Sequence, residues 1–426
     1  MQRSDIKYQT YVQILKEELV PAMGCTEPIA ISYCAAKAKT ILGCLPEHAL
    51  VEVSGNIIKN VKSVIVPNTN GLKGIEAAAA AGIVAGDPDR VLEVIADVTE
   101  EQKLKIKEYL DRGVIRVKPL ETDEILDIIV HVYGEGHEVL VRIANYHTNI
   151  VLIRKDGETL YEIGGTAAKE ETNQADRNLL SVEDIVDFAD TADLGDVREI
   201  LERQIVCNTA VAEEGLKNPW GANVGKVLLK TYGDDIKVRA RAMAAAGSDA
   251  RMSGCEMAVI INSGSGNQGM TASLPVIAYA RDLKVSEEKL YRALLVSNLI
   301  TIHQKTGIGR LSAYCGAVSA GCGAGCGIAY LHGGDFRCIA HTLVNALAIV
   351  SGIVCDGAKP SCAGKIASAV DAGILGYEMY CEGQQFRGGD GIISKGVENT
   401  IHNISRLGSV GMKETDKEII HIMTDC

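Results

Sequence analysis

A chain of 426 residues with only three phenylalanines and one tryptophan, but 44 glycines and runs of alanine, has to build its core from small side chains. Small residues let helix backbones approach closely, in water or in a membrane, so possible membrane spans have to be examined first. The best apolar stretch, Leu343 to Cys355, holds 13 residues and is interrupted by Asn345, Ser351 and Gly352. Spanning needs roughly 18 or more. Met1 to Asp5 leads into an amphipathic segment rather than an apolar signal region, which predicts a cytoplasmic protein with no membrane partner. A net charge of -12 with scattered Lys and Arg offers no basic patch for phosphates, so nucleic acid is not expected as a partner.

The hydrophobic pattern changes twice along the chain. Tyr8, Tyr11, Val12, Leu15 and Leu19 recur at helical spacing, and Pro21 breaks that helix. A second helix is predicted over Ile29 to Ile41, with Thr26 as its N-cap and a stop at Gly43. Alternating β-branched runs follow at 49–53, 61–66, 125–132, 138–143 and 150–153, which predict strands, with an alanine-rich helix near 74–85 and charged helices near 88–112. After the polar stretch Glu170 to Asn173 the chain reads as helical. The expected fold class is therefore α+β: N-terminal helices over 1–46 that pack with a mainly helical catalytic domain over 171–426, and a smaller α+β domain over 47–170 inserted between them.

Thirteen cysteines in a chain without an evident export signal favour metal or thiol chemistry over disulfides. Cys34, Cys44, Cys207, Cys255, Cys338 and Cys381 have no partner at ligand spacing and read as small hydrophobes. In Gly24-Cys25-Thr26-Glu27-Pro28 the thiol falls just before a helix, whose positive end eases ionisation, while Glu27 opposes it. Cys355 and Cys362 flank a loop containing Gly357 and Pro360 that can turn both sulfurs inward. Gly321-Cys322-Gly323-Ala324-Gly325-Cys326-Gly327 could wrap a cluster, or could be close helix packing. Asn262 to Gly269 can present backbone N–H groups to a carboxylate, and His147 sits at a boundary between two strands.

The motifs Pro21 to Pro28, His147-Thr148-Asn149, Ser248-Asp249-Ala250-Arg251-Met252, Asn262 to Gly269, Arg310 to Cys315 and Cys355 to Cys362 together resemble the L-cysteine desulfidase family, in order and over nearly the whole chain. That family is related to iron-sulfur L-serine dehydratases. The resemblance implies a [4Fe-4S] cluster held by Cys315, Cys355 and Cys362 with one iron open, and Cys25 as the catalytic base. Cys322 and Cys326 do not coincide with the family's ligand positions, so the packing reading is preferred for them. The implied reaction is β-elimination from L-cysteine, with L-serine as the alternative substrate. Candidate substrate contacts are Thr26, Glu27, Asn56, His147, Ser263, Ser265, Asn267 and Gln268, the expected partner is a small amino acid, and the expected assembly is a homodimer. Asn262 to Gly269 also resembles the serine-glycine-asparagine loop of pyridoxal phosphate β-eliminating enzymes, with Lys237 as the Schiff-base lysine. Against that, no tetraglycine loop follows and the strand-helix alternation such a fold needs is missing after residue 180.

Overall fold

The computed structural model describes residues 1–163 and 175–424, so Glu170 to Asn173 and Cys426 lie outside the described residues. The first elements are α1 (Ile6–Glu18), β1 (Pro21–Met23), α2 (Thr26–Leu42), β2 (His48–Val53), α3 (Gly55–Val61), α4 (Gly74–Ala85) and α5 (Glu100–Asp111). Strands β3 (Ile115–Pro119), β4 (Asp127–Gly134), β5 (His137–Ala144), β6 (Ile150–Lys155) and β7 (Glu158–Glu162) follow. They form a six-stranded sheet in the order β3-β2-β4-β5-β6-β7, in which only the β2/β3 pair is parallel.

Alternation decides which face of the sheet is covered. Val51, Val130 and Val141 stand opposite one another across β2, β4 and β5 and are fully buried. Helix α2 lies over β4 and β5, and α4 packs on α2. The other face carries Glu52, His131 and Glu138, with His131 Nε2 3.2 Å from Glu52.

The second half contains α6 (Val182–Thr191), α7 (Arg198–Lys217), α8 (Val224–Tyr232), α9 (Ile236–Met252), the short β8 (Ala258–Ile260), α10 (Gly266–Leu283), α11 (Glu287–Ile308), α12 (Gly316–Leu331), α13 (Phe336–Val350), α14 (Cys362–Cys381), α15 (Val397–Arg406) and α16 (Lys413–Thr424). Helix α12 is the centre of this bundle, touching α10, α11, α13 and α14. Its glycines explain how: a Cβ on Gly321 would strike the Ala369 backbone, and one on Gly325 the backbone of Gly373. The fold is thus α+β and mainly helical, with a small-residue core.

Tyr8 and Tyr11 of α1 pack edge-on against Phe188 of α6, with ring centroids 5.2 and 5.4 Å apart. Strand β1 pairs with β8, Pro21 opposite Ile260. That pairing carries the start of the chain into the helical half and sets residues 24–27 beside the 262–269 loop.

Two expectations about local structure need correction. The 61–66 run is not a strand: Val61 ends α3, and an isolated bridge joins Ile65 to Lys73. Its alternation reflects the burial of Val64 and Val66 in a turn. Thr26 is the first helical residue of α2, and Cys25 is the N-cap. Among the described residues no helix is long and apolar enough to cross a membrane.

Candidate active site

Four helices begin around one small cavity. Cys25 is the N-cap of α2, Ser265 of α10 and Cys315 of α12, while Cys362 opens α14. These residues, with Glu27, Asn267, Gln268 and Cys355, line a cavity of about 100 Å³. Helix starts present unpaired N–H groups and a partial positive charge, so their convergence favours anions. Lys59, Arg251, Lys305 and Arg310 add four cationic side chains to the lining against the single carboxylate of Glu27. Lys59 is paired with Asp416 of α16, and Arg310 with Glu18 at 2.9 Å. Among the described residues Arg251 and Lys305 have no carboxylate within ion-pair distance, and Arg251 bonds Asn267 instead. A larger cavity of about 500 Å³ shares Lys305, Arg310 and Leu311 with the first and forms its outer approach.

On one side of the inner cavity the Cys25 thiol donates to Glu27 Oε2 at 3.0 Å. Thr26 Oγ1 reaches the same carboxylate at 3.2 Å and donates to the Gly264 carbonyl at 2.9 Å, locking α2 onto the 262–269 loop. Asn60 Nδ2 donates to Glu27 Oε1 at 3.2 Å, and His147 Nε2 lies 3.9 Å from that oxygen with no hydrogen bond of its own. Burial first, and the Glu27 charge second, push the Cys25 thiol well above its usual range. Burial would also raise Glu27, but His147 and then the Cys25 thiol outweigh it and hold that carboxyl down at about 2. The opposition between Glu27 and thiol ionisation expected from the sequence is therefore a direct hydrogen bond, and the thiol is neutral in this arrangement.

The opposite wall carries three more thiols. An antiparallel bridge joins Tyr314 to Val354, so the Cys315 N–H donates to Ile353 at 3.1 Å and the Cys355 N–H to Ala313 at 2.6 Å. Gly357, at φ 89°, then turns the loop tightly over the Lys59 carbonyl and returns the chain to Cys362. Cys315 is raised by burial and next by the charge of Cys355, with Cys362 adding to it; Cys362 is in turn raised by burial and by Cys355. All three line the one cavity. Lys305, buried on the last turn of α11, is lowered to about 8 by burial, while Cys355 and Cys315 pull it back up.

Of the other residues singled out from the sequence, Ser263 lines the outer cavity and bonds Asn262 at 2.9 Å. Asn56 lines neither cavity. Cys322 and Cys326 are buried in α12 and also line neither. Lys237 is half exposed at the start of α9 and pairs with Glu378 at 3.2 Å. Arg251 is 14 residues further along the same helix, about 21 Å away at 1.5 Å per residue. A Schiff base on Lys237 is incompatible with that placement.

Sequence reasoning passed over Arg251 and Lys305 as site residues. A signal for Lys305 was present: Leu294, Asn298, Thr301 and Lys305 recur at helical spacing and are all buried, so the lysine continues an inward stripe. For Arg251 the clue was its place at the end of an alanine-rich helix within the 248–252 motif. That helix end is tied down by Asp249, which accepts the Gly225 N–H at 3.1 Å at the start of α8. Burial raises the Asp249 carboxyl to about 6, and backbone N–H groups of Gly225, Val224 and Ala222 only partly oppose this. With a folded pKa above the unfolded value, its contribution is fully present below about pH 4 and is lost as pH rises through about 6. Asp249→Asn is expected to flatten urea stability over this window, removing a decline of up to about 3 kcal/mol. An unchanged pH slope would show that Asp249 does not titrate there.

The site now stands beside known sequences. The family model described as serine dehydratase alpha chain matches residues 89–421, and the chain belongs to that family. The match takes in Arg251, Lys305 and the three wall cysteines but not Cys25 or Glu27. Over its full length the chain is similar to a UPF0597 protein of Desulfitobacterium hafniense, 66% identical and covering 99% of this chain and 98% of the relative. A UPF0597 protein of Lachnoclostridium phytofermentans is 54% identical (98% and 99% covered), and one of Treponema denticola is 50% identical (98% and 98%).

Proposed function

We propose that the chain is an iron-sulfur-dependent lyase that eliminates the β-substituent of L-cysteine, yielding pyruvate, ammonia and hydrogen sulfide. The observation that carries this reading is one small cavity with a carboxylate-bonded thiol on one side and three thiols on the other.

The donor set suits a cluster. Among the described residues no group of three or more His, Cys, Asp or Glu side chains could hold a metal ion as it stands, so the fit rests on the chemistry of the three thiols. Three thiols lining one cavity, two at helix starts and one in the loop that leads into α14, suit a soft-ligand group such as [4Fe-4S]. Cys315, Cys355 and Cys362 would hold it, with the Lys305 ammonium as counter-charge. Bound with three protein ligands, such a cluster supplies a Lewis-acidic iron for a leaving sulfur or oxygen.

The chain's own residues account for the rest. Cys25 is the base: its proton leaves by way of Glu27 toward the unpaired His147 Nε2, 3.9 Å from that carboxylate, and the resulting thiolate removes the Cα proton. The Cα electron pair forms the Cα–Cβ double bond while the Cβ–S bond breaks, its electron pair leaving with sulfur. The 2-aminoacrylate product tautomerises to an imine, which water converts to pyruvate and ammonia. The family description favours a second reading, the same elimination from L-serine with loss of the hydroxyl.

The test is anaerobic purification and iron and acid-labile sulfide analysis, with pyruvate and sulfide release measured on the same sample. Iron with sulfide release from L-cysteine is the expected result. Turnover of L-serine alone would replace the first reading by the second. No turnover of either after cluster reconstitution would end both.

A further inference from the structure

Of the cations lining the inner cavity, Lys59 and Arg310 are neutralised by protein carboxylates and Lys305 stands beside Cys315 and Cys355. Arg251 is left. Its guanidinium is buried, its Nη1 donates to Asn267 Oδ1 at 3.1 Å, and its Nε has no hydrogen-bond partner. Asn267 in turn lies in the first turn of α10, where backbone N–H groups are unpaired. The Arg251 charge is also felt at Cys25. An arginine buried without a counter-ion is costly, and its planar fork matches a carboxylate.

We propose that Arg251 receives the α-carboxylate of the substrate, with the start of α10 beside it, and so restricts the enzyme to amino acids with a free carboxyl group. This rests on the β-elimination reading. It gives the cavity a direction: carboxylate at Arg251, Cα at Cys25, leaving group toward Cys315, Cys355 and Cys362. The carboxylate site expected from the sequence, the backbone of Asn262 to Gly269, becomes the second half of a site whose first half comes from α9.

The local packing holds the guanidinium in place. A Cβ on Gly266 would collide with Arg251 Nε, so glycine at this position is what admits the side chain. Gly266→Ala therefore displaces the guanidinium without removing its charge, whereas Arg251→Met removes the charge.

The experiment compares wild type, Arg251→Met, Arg251→Lys and Gly266→Ala, all loaded with iron, on whichever of L-cysteine or L-serine the wild type turns over and on the corresponding amide. A charged hydrogen bond worth about 1.5–3 kcal/mol predicts a KM about 10- to 100-fold higher in Arg251→Met, with a smaller change in kcat. The preference of wild type for acid over amide should collapse in that variant, return in part in Arg251→Lys, and weaken in Gly266→Ala. Calorimetry with L-alanine, which has no leaving group, and with L-alaninamide should show the same loss of discrimination without turnover. An unchanged KM and acid-to-amide ratio in Arg251→Met, in an active wild-type background, overturns the assignment alone. If Arg251→Met does not fold, the same unchanged values in Gly266→Ala overturn it. A wild type inactive on both amino acids sinks the elimination reading and this inference with it.

Discussion

Cys25→Ala is expected to leave bound iron unchanged while turnover falls by about 10²- to 10⁴-fold, the range that a positioned general base contributes. The two halves of that outcome come from separate parts of the fold. Cys25 reaches the cavity from α2, through the β1/β8 pairing, whereas the other three cysteines reach it from the helical half. Its removal costs the fold little, since the side chain packs in a small cluster with Val64 and Met252, against which Ala358 and Cys362 lie. Cys25→Ser separates base from thiol: a serine hydroxyl can still donate to Glu27, yet it is a far weaker acid. It should therefore resemble the alanine variant in rate. A cysteine variant at position 25 that loses its iron would show that the thiol is a ligand rather than the base.

The second large effect is expected among the remaining cysteines, and its pattern matters more than its size. Alanine at 315, 355 or 362 should lower iron and turnover together, because each sulfur is one of only three proposed protein ligands. Alanine at 322 or 326 should keep both. Cys322 and Cys326 are fully buried in the interface of α12, with the Cys326 thiol 3.7 Å from the Ile339 carbonyl. Losing a buried sulfur there costs stability of about 1 kcal/mol, as an ordinary core truncation does. Iron analysis of the five variants decides between the two cysteine sets. Iron lost from Cys326→Ala and kept by Cys355→Ala would reverse the assignment.

How much of this was legible in the sequence depends on the distance over which each feature is determined. The alanine run at 74–85 and the alternation at 125–132 report local periodicity: the helix forms where the pattern puts it, and the strand forms two residues later, at Asp127–Gly134. The three residues of β1 are too few to show a period, and their strand exists only because β8 lies alongside. Val61, Val64 and Val66 alternate because a turn buries them, which a strand would also explain. Cysteines in the site were visible since a thiol is rare and its neighbours distinctive. Arg251 and Lys305 carried weaker signals: a cation on a helix is ordinary, even in a buried stripe, and its lack of a counter-ion can be seen only once the neighbouring elements are folded around it.

The pairing of β1 with β8 also has a consequence for biosynthesis. Cys25 and Cys362 are separated by 337 positions (362 - 25), yet line one cavity. At a ribosomal rate of about 5–20 residues per second, roughly 20 to 70 s pass between synthesis of the base and of the last proposed ligand. Until β8 emerges the Cys25 segment lacks its strand partner, and until Cys362 emerges the proposed three-cysteine ligand set is incomplete. On the proposed reading, cluster assembly follows synthesis of Cys362, and a factor that loads iron would act on a chain that already carries α12 and the 355–362 loop.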